Sequence, residues 1–215
     1  MITNTREYVL GKWFDLSERM GWDRVNERSD LVRVFDSEIY ARYTETHRFY
    51  HTLEHIASGL RDIEEVYGRY DVSFERLEGA FLFHDVVYDT HAKDSEEQSC
   101  AIAKRVYTGL GCSSSFVDEV STLILLTKGA TKPSTLEEEI MRDVDYAILG
   151  CDAARFKSYN DEIQQEYEWV PTLIYNFKRR IFFENVSKSS RIYYTDYFFE
   201  KYNAKAQDNI KMLLS

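Results

Sequence analysis

Apolar residues recur every three or four positions along most of this chain, and little interrupts them. Leu31, Val34, Phe35 and Ile39 form one stripe, and Ile56, Leu60, Ile63 and Val66 or Tyr67 form another. That period lines one face of an α-helix. Only two prolines and nine glycines occur in 215 residues, which favours long helices over a turn-rich β fold. Gly68 supplies a stop for the second stripe. A helix is expected from about Ser73 through Leu77, Ala80 and Phe81 into His84, and another from near Asp94 with Cys100, Ala103 and Val106. Ser115 stands three residues before Asp118, and Thr135 three before Glu138, both in the spacing of a capping box. Gly150 closes the helix that Thr135 opens. The segment STLILL has strand propensity, but the cap before it argues for a helix. Two or three more helices fill the C-terminal third. With no repeat, low-complexity tract or linker, the expectation is one all-α domain over residues 1–215, long enough to bury a core without staples.

The formal charge of −10 gives a surface that repels phosphate backbones, so nucleic acid is not expected as a general partner. No stretch approaches the roughly 20 apolar residues of a membrane span. The N-terminal MITNTREYVLGKWFDL lacks the apolar core of a signal peptide. Cys100, Cys112 and Cys151 are odd in number and widely spaced, as expected of reduced thiols. Together these features lead us to expect a cytoplasmic protein.

All five histidines fall between residues 47 and 91: His47, His51, His55, His84 and His91. His51 and His55 share one helical face, the geometry by which two imidazoles address one metal or a metal and its substrate; the plain alternative is the edge of a half-buried surface. In FLFHDVVYDT, His84 and Asp85 end a buried apolar run. A carboxylate there needs a partner, and a divalent cation shared with His84 would serve. Adjacent helical residues diverge by about 100°, so both reach one ion only near a helix end. In MRDVDYAILG, Asp145 lies beside the apolar side of its helix. Two imidazoles and two carboxylates (His55, His84, Asp85 and Asp145) suit Mn, Fe, Co or Zn, with Mg a harder option, and leave positions open for water.

The order His … His-Asp … Asp on an all-α chain resembles the HD superfamily of metal-dependent phosphohydrolases. FYHTLEHI, FHDVVYD, SEEQSC, DVDYAILG, IQQEY, IYYTDYF and AKAQDNI follow the order of its bacterial-type subgroup over about residues 48–210. The resemblance implies a single HD-domain helical bundle. YHTLEH is similar to the Tyr-His-Asn-x-x-His segment of cyclic-nucleotide phosphodiesterases, which makes His55 a ligand and His51 the general acid. A simpler alignment makes His51 the ligand, and that alternative stays open. HDVVYDT resembles the His-Asp-x-x-Glu-Asp segment of guanosine tetraphosphate hydrolases, with Tyr88 in place of Glu and Asp89 kept. Compared with the subgroup, Thr127-Lys128-Gly129-Ala130 lacks a His, Ser95-Glu96 replaces Asn-Glu, and Gln164 replaces an Arg.

The implied activity is cleavage of a phosphoester or phosphoanhydride in a small phosphorylated molecule, expected to be a nucleotide, by metal-activated water. Asp85, or Asp89 through water, would orient the nucleophile, and His51 would protonate the leaving oxygen. Glu96 is the candidate partner that fixes a histidine tautomer. Lys128, Arg179 and Arg180 are candidate phosphate-binding cations, and Tyr193 and Tyr194 are candidate rings for stacking a base. Two other readings are an HD-like di-iron oxygenase, drawing on His51, Asp89 and Glu96 for extra donors, and a metal-stabilised nucleotide-binding regulatory domain without turnover. Self-association is left open.

Overall fold

The computed structural model describes residues 4–22, 28–129 and 131–215. Ala130, the last residue of the segment that lacks a His, lies outside them. The described chain is all-α, without a strand among the described residues. The helices are α1 (Thr5–Met20), α2 (Arg28–Val34), α3 (Ala41–Tyr43), α4 (Leu53–Glu65), α5 (Phe74–Phe83), α6 (Ser95–Gly109), α7 (Ser114–Leu126), α8 (Leu136–Asp145), α9 (Ala153–Glu166), α10 (Thr172–Ser187) and α11 (Asp196–Leu214). A π-helical turn (Phe35–Tyr40) joins α2 to α3, and a 3-10 turn (Ala147–Gly150) follows α8. No helix among the described residues is long and apolar enough to cross a membrane.

The α5 helix is the axis of the fold. Its residues Leu77–Phe83 are all buried, and it packs against α1, α4, α6, α7 and α8. Ser73 caps its start by accepting from the Arg76 N–H, which satisfies one of the orphan donors of the first turn. Gly59 on α4 permits a close approach to α5. A Cβ there would stand 2.1 Å from the Phe81 ring, so only glycine lets the two helices meet at this depth. That contact packs the Phe81 ring against both His55 and His84, with ring centroids 5.4 and 4.6 Å away.

Local signals hold with two shifts, one of them at Gly150, which ends the 3-10 turn after α8 while α8 itself stops at Asp145. STLILL is helical, in α7, but its cap is Ser113, which accepts from the Phe116 N–H, and not Ser115. Ser115 is already inside the first turn and bonds Glu119. Thr135 caps α8 through the Glu138 N–H as its spacing predicts, while the Glu138 carboxylate returns to the Ser134 N–H, one residue earlier than a capping box requires.

Candidate metal centre

His84 is the C-cap of α5, and the helix end is what lets His84 and Asp85 reach one point. Tyr43 finishes that end: its hydroxyl donates to Leu82 O and accepts from the Asp85 N–H. His84 is 1% exposed, and its Nδ1–H donates to Phe81 O at 2.8 Å. That bond fixes the tautomer and leaves Nε2 to a ligand. Nε2 stands 3.2 Å from His55 Nε2, 2.9 Å from Asp85 Oδ2 and 3.7 Å from Asp145 Oδ1. His55 Nε2 is 3.7 Å from the same Asp85 oxygen and 3.8 Å from the same Asp145 oxygen. Donors about 2.1 Å from one cation lie roughly 3–4 Å from one another, so this spacing fits a single divalent ion. His55, His84 and Asp145 each present one atom to a group within 4.8 Å, and Asp85 adjoins it.

The electrostatics agree with that fit. Burial pulls the His84 imidazole down, but Asp85 and Asp145 outweigh it and raise it to about 10. Burial, and then His84, lower His55 to about 4. Asp85 is held well below the ordinary carboxylate range because His84 overcomes its burial. Two carboxylates therefore keep one positive charge at His84 Nε2, where a proton and a divalent cation compete for the same lone pair.

His51 is not in the donor group. Its Nδ1 lies 2.7 Å from Glu166 Oε2, while Glu166 Oε1 accepts the backbone N–H groups of Phe49, Tyr50 and His51 at 2.8–2.9 Å. Burial would raise the Glu166 carboxyl, but His51 and these donors hold it at about 2. The His51 ring stacks on Tyr88 at 3.9 Å and borders the cleft. Arg48, 5% exposed, ties the two histidine segments together by donating to the carbonyls of His51, Asp85 and Val86.

The cleft over His84, Asp85 and Asp145 has a volume of about 770 Å³. Asp89 borders it and is exposed; its Oδ1 accepts from the His91 N–H at 2.8 Å. Glu96 also lines it, but the tautomers of His84 and His51 are fixed by Phe81 O and Glu166, so for these two rings the role read for Glu96 passes to those groups. Lys128 lines the cleft, ion-paired to Glu97 and donating to Lys93 O. Arg180 is exposed, bonded to Glu184 one turn on, and outside the cleft lining. Arg179 lines the cleft. Its guanidinium bonds the neutral Asn160 Oδ1 and sits 4.6–5.2 Å from the rings of Tyr159, Phe182 and Phe183. Among the described residues no carboxylate pairs with it.

The two tyrosines proposed to stack a base do not reach the cleft. Tyr193 is fully buried and its hydroxyl donates to Tyr146 O; the Tyr194 N–H donates to Asp143. Asp143, two residues from Asp145, is fully buried and caps the start of α11 through Tyr194 and Thr195. Burial raises its carboxyl to about 6 despite those donors.

Sequence reasoning missed Glu166, three residues after the buried Ile163, and Arg48, three residues before His51. In each case the partners lie far along the chain, at 115 residues for Glu166 and His51 and 37 for Arg48 and Asp85, and no local pattern marks the residue. Comparison with family models, curated proteins and solved structures returned no match.

Proposed function

We propose that the protein is a metal-dependent phosphohydrolase of the HD type, acting on a small phosphorylated molecule. The observation that carries the reading is the convergence of His55, His84 and Asp145, with Asp85 adjoining, where His84, Asp85 and Asp145 line a cleft that also presents the His51 imidazole and the Arg179 guanidinium, which no described carboxylate pairs. A divalent cation held by these donors supplies Lewis-acid polarisation of a phosphoryl oxygen and lowers the pKa of water.

The remaining work falls to this chain's own side chains. Glu166 keeps the His51 proton on Nδ1 when the ring is neutral, so Nε2 is the atom that exchanges a proton with substrate. With both nitrogens protonated, His51 protonates the leaving oxygen from Nε2 and relaxes to the Nδ1–H tautomer that Glu166 favours. Arg179 supplies positive charge to a phosphate. Its half-buried guanidinium is fixed by three rings and Asn160 and is uncompensated by any described carboxylate, so a bound anion gains a charge-assisted contact with no internal pair to break. Lys128, already paired with Glu97, contributes less.

The oxygenase reading needs further donors for a second iron. Among the described residues the donor group is His55, His84 and Asp145, and His51, Asp89 and Glu96 lie outside it, so the phosphohydrolase reading is preferred. It is tested by loading the purified protein with Mn, Fe, Co or Zn in turn and measuring release of phosphate or alcohol from mono- and diesters and anhydrides. Turnover that disappears in His84→Ala supports it; no turnover with any metal and any ester overturns it.

A further inference from the structure

The metal cleft does not end at Arg179. A second cavity of about 370 Å³ continues from it, and Thr90, Ile163, Tyr167, Arg179 and Phe182 line both. Past these shared walls the new lining is Trp169, Val170, Tyr175 and Lys178. Polarity therefore changes along one continuous groove. The metal end holds Asp85, Asp89, Glu96 and Asp145. Among the described residues the far end has no acidic lining residue, three aromatic rings besides Phe182, two aliphatic side chains and a second cation in Lys178. Arg179 marks the boundary, its guanidinium already packed on the Phe182 ring.

We infer that this second cavity takes the non-phosphate end of the substrate, and that this end is a flat aromatic group. The inference rests on the phosphohydrolase reading for the phosphate end alone. A phosphoryl group at the metal end occupies only a small part of the 770 Å³ cleft, and the order metal, guanidinium, aromatic walls is complementary to a phosphate ester of an aromatic-bearing alcohol. Ring faces favour a planar apolar partner, with Lys178 and Arg179 tolerating electron-rich rings. A bare sugar phosphate would leave these walls wet and their rings without a partner. The cavity also borders the proton-transfer side of the cleft: Tyr167 and Tyr88 both line the cleft, and the Tyr88 ring stacks on His51.

The test fills the cavity from its rim with Val170→Trp and uses Phe177→Ser, on the outer face of α10 and 65% exposed, as the control. The metal-loaded proteins are compared on adenosine 5′-monophosphate, 4-nitrophenyl phosphate and ribose 5-phosphate. The wild type should prefer the two aromatic esters, and Val170→Trp should cut the ratio of their kcat/KM to that of ribose 5-phosphate by about tenfold, with Phe177→Ser unchanged. Equal kcat/KM for all three esters, or an equal loss on all three in Val170→Trp, overturns the inference. Should no ester turn over, the phosphohydrolase reading falls on its own, and saturation-transfer NMR with unphosphorylated adenosine and 4-nitrophenol decides the cavity. Signal in the wild type that is lost in Val170→Trp upholds the aromatic site. Signal no stronger than that of ribose, or retained in the variant, removes it.

Discussion

The two sides of the cleft are built on different principles. The donor side stands on α4, α5 and the end of α8, where His84 and Phe81 are at most 1% exposed and Phe81 O aims the His84 ring. The opposite wall stands on α9 and α10, and α10 has one fully buried side chain, Phe183, while Leu173 is 85% exposed. The donor side gains its geometry from close packing, which tolerates little change. The α9–α10 wall gains its geometry from a few polar fixings, Glu166 on one helix and Arg179 on the other. Glu166 crosses between the two regimes: it belongs to the wall by sequence and to the buried floor by its bonds.

The largest effect should come from that crossing. Glu166→Gln leaves buried N–H groups and His51 without their charged acceptor. A carboxyl at about 2 in the folded protein and 4.5 unfolded contributes about 3 kcal/mol that is fully present above pH 4.5 and is lost as pH falls through 2. Denaturant unfolding of wild type and variant should therefore differ by about 3 kcal/mol near pH 7, with the gap narrowing below pH 4.5. A gap independent of pH would mean that Glu166 is not ionised against His51.

Gly59→Ala probes the close packing of the donor side. The added methyl meets the Phe81 ring and should cost about 1–3 kcal/mol. It should also weaken metal retention, because the Phe81 ring packs against both His55 and His84. Loss of stability with metal affinity unchanged would show that the two histidines are aimed independently of that contact.

Arg179→Leu should act on the other wall alone, raising KM for a phosphate ester about tenfold with metal content unchanged. Arg180→Gln should be the smallest effect, under about 0.5 kcal/mol in stability and under twofold in KM, since it removes only an exposed pair with Glu184. Equal effects from the two substitutions would erase the distinction drawn between these neighbours.

How much of this was legible in the sequence follows the same division. The helices, the cap at Thr135 and the His84-Asp85 doublet were readable because each is a local signal: a period, a spacing, or two polar residues at the end of an apolar run. His55 and Asp145 were readable as candidates from the apolar stripes they adjoin. Glu166 was not, since its partner His51 lies 115 residues away and nothing near Gln165 or Tyr167 signals a buried anion. Arg48 acts across 37 residues to Asp85 in the same way. Tyr193 resembled a site residue because residue type alone does not tell a buried structural tyrosine from a ligand-facing one. Lys128, Arg179 and Arg180 looked equivalent as cations. Glu184, four residues after Arg180, was a local hint that Arg180 is already paired, whereas the freedom of Arg179 depends on tertiary packing against Tyr159, Phe182 and Phe183.

Metal content is the most direct measurement. Elemental analysis of the purified, reconstituted wild-type protein should find about one equivalent of Mn, Fe, Co or Zn per chain. His84→Ala and Asp145→Asn, each shown to be folded by circular dichroism, should lose it. Folded variants that keep the full equivalent, or a wild type that binds none of these ions, would contradict a metal centre at His55, His84 and Asp145.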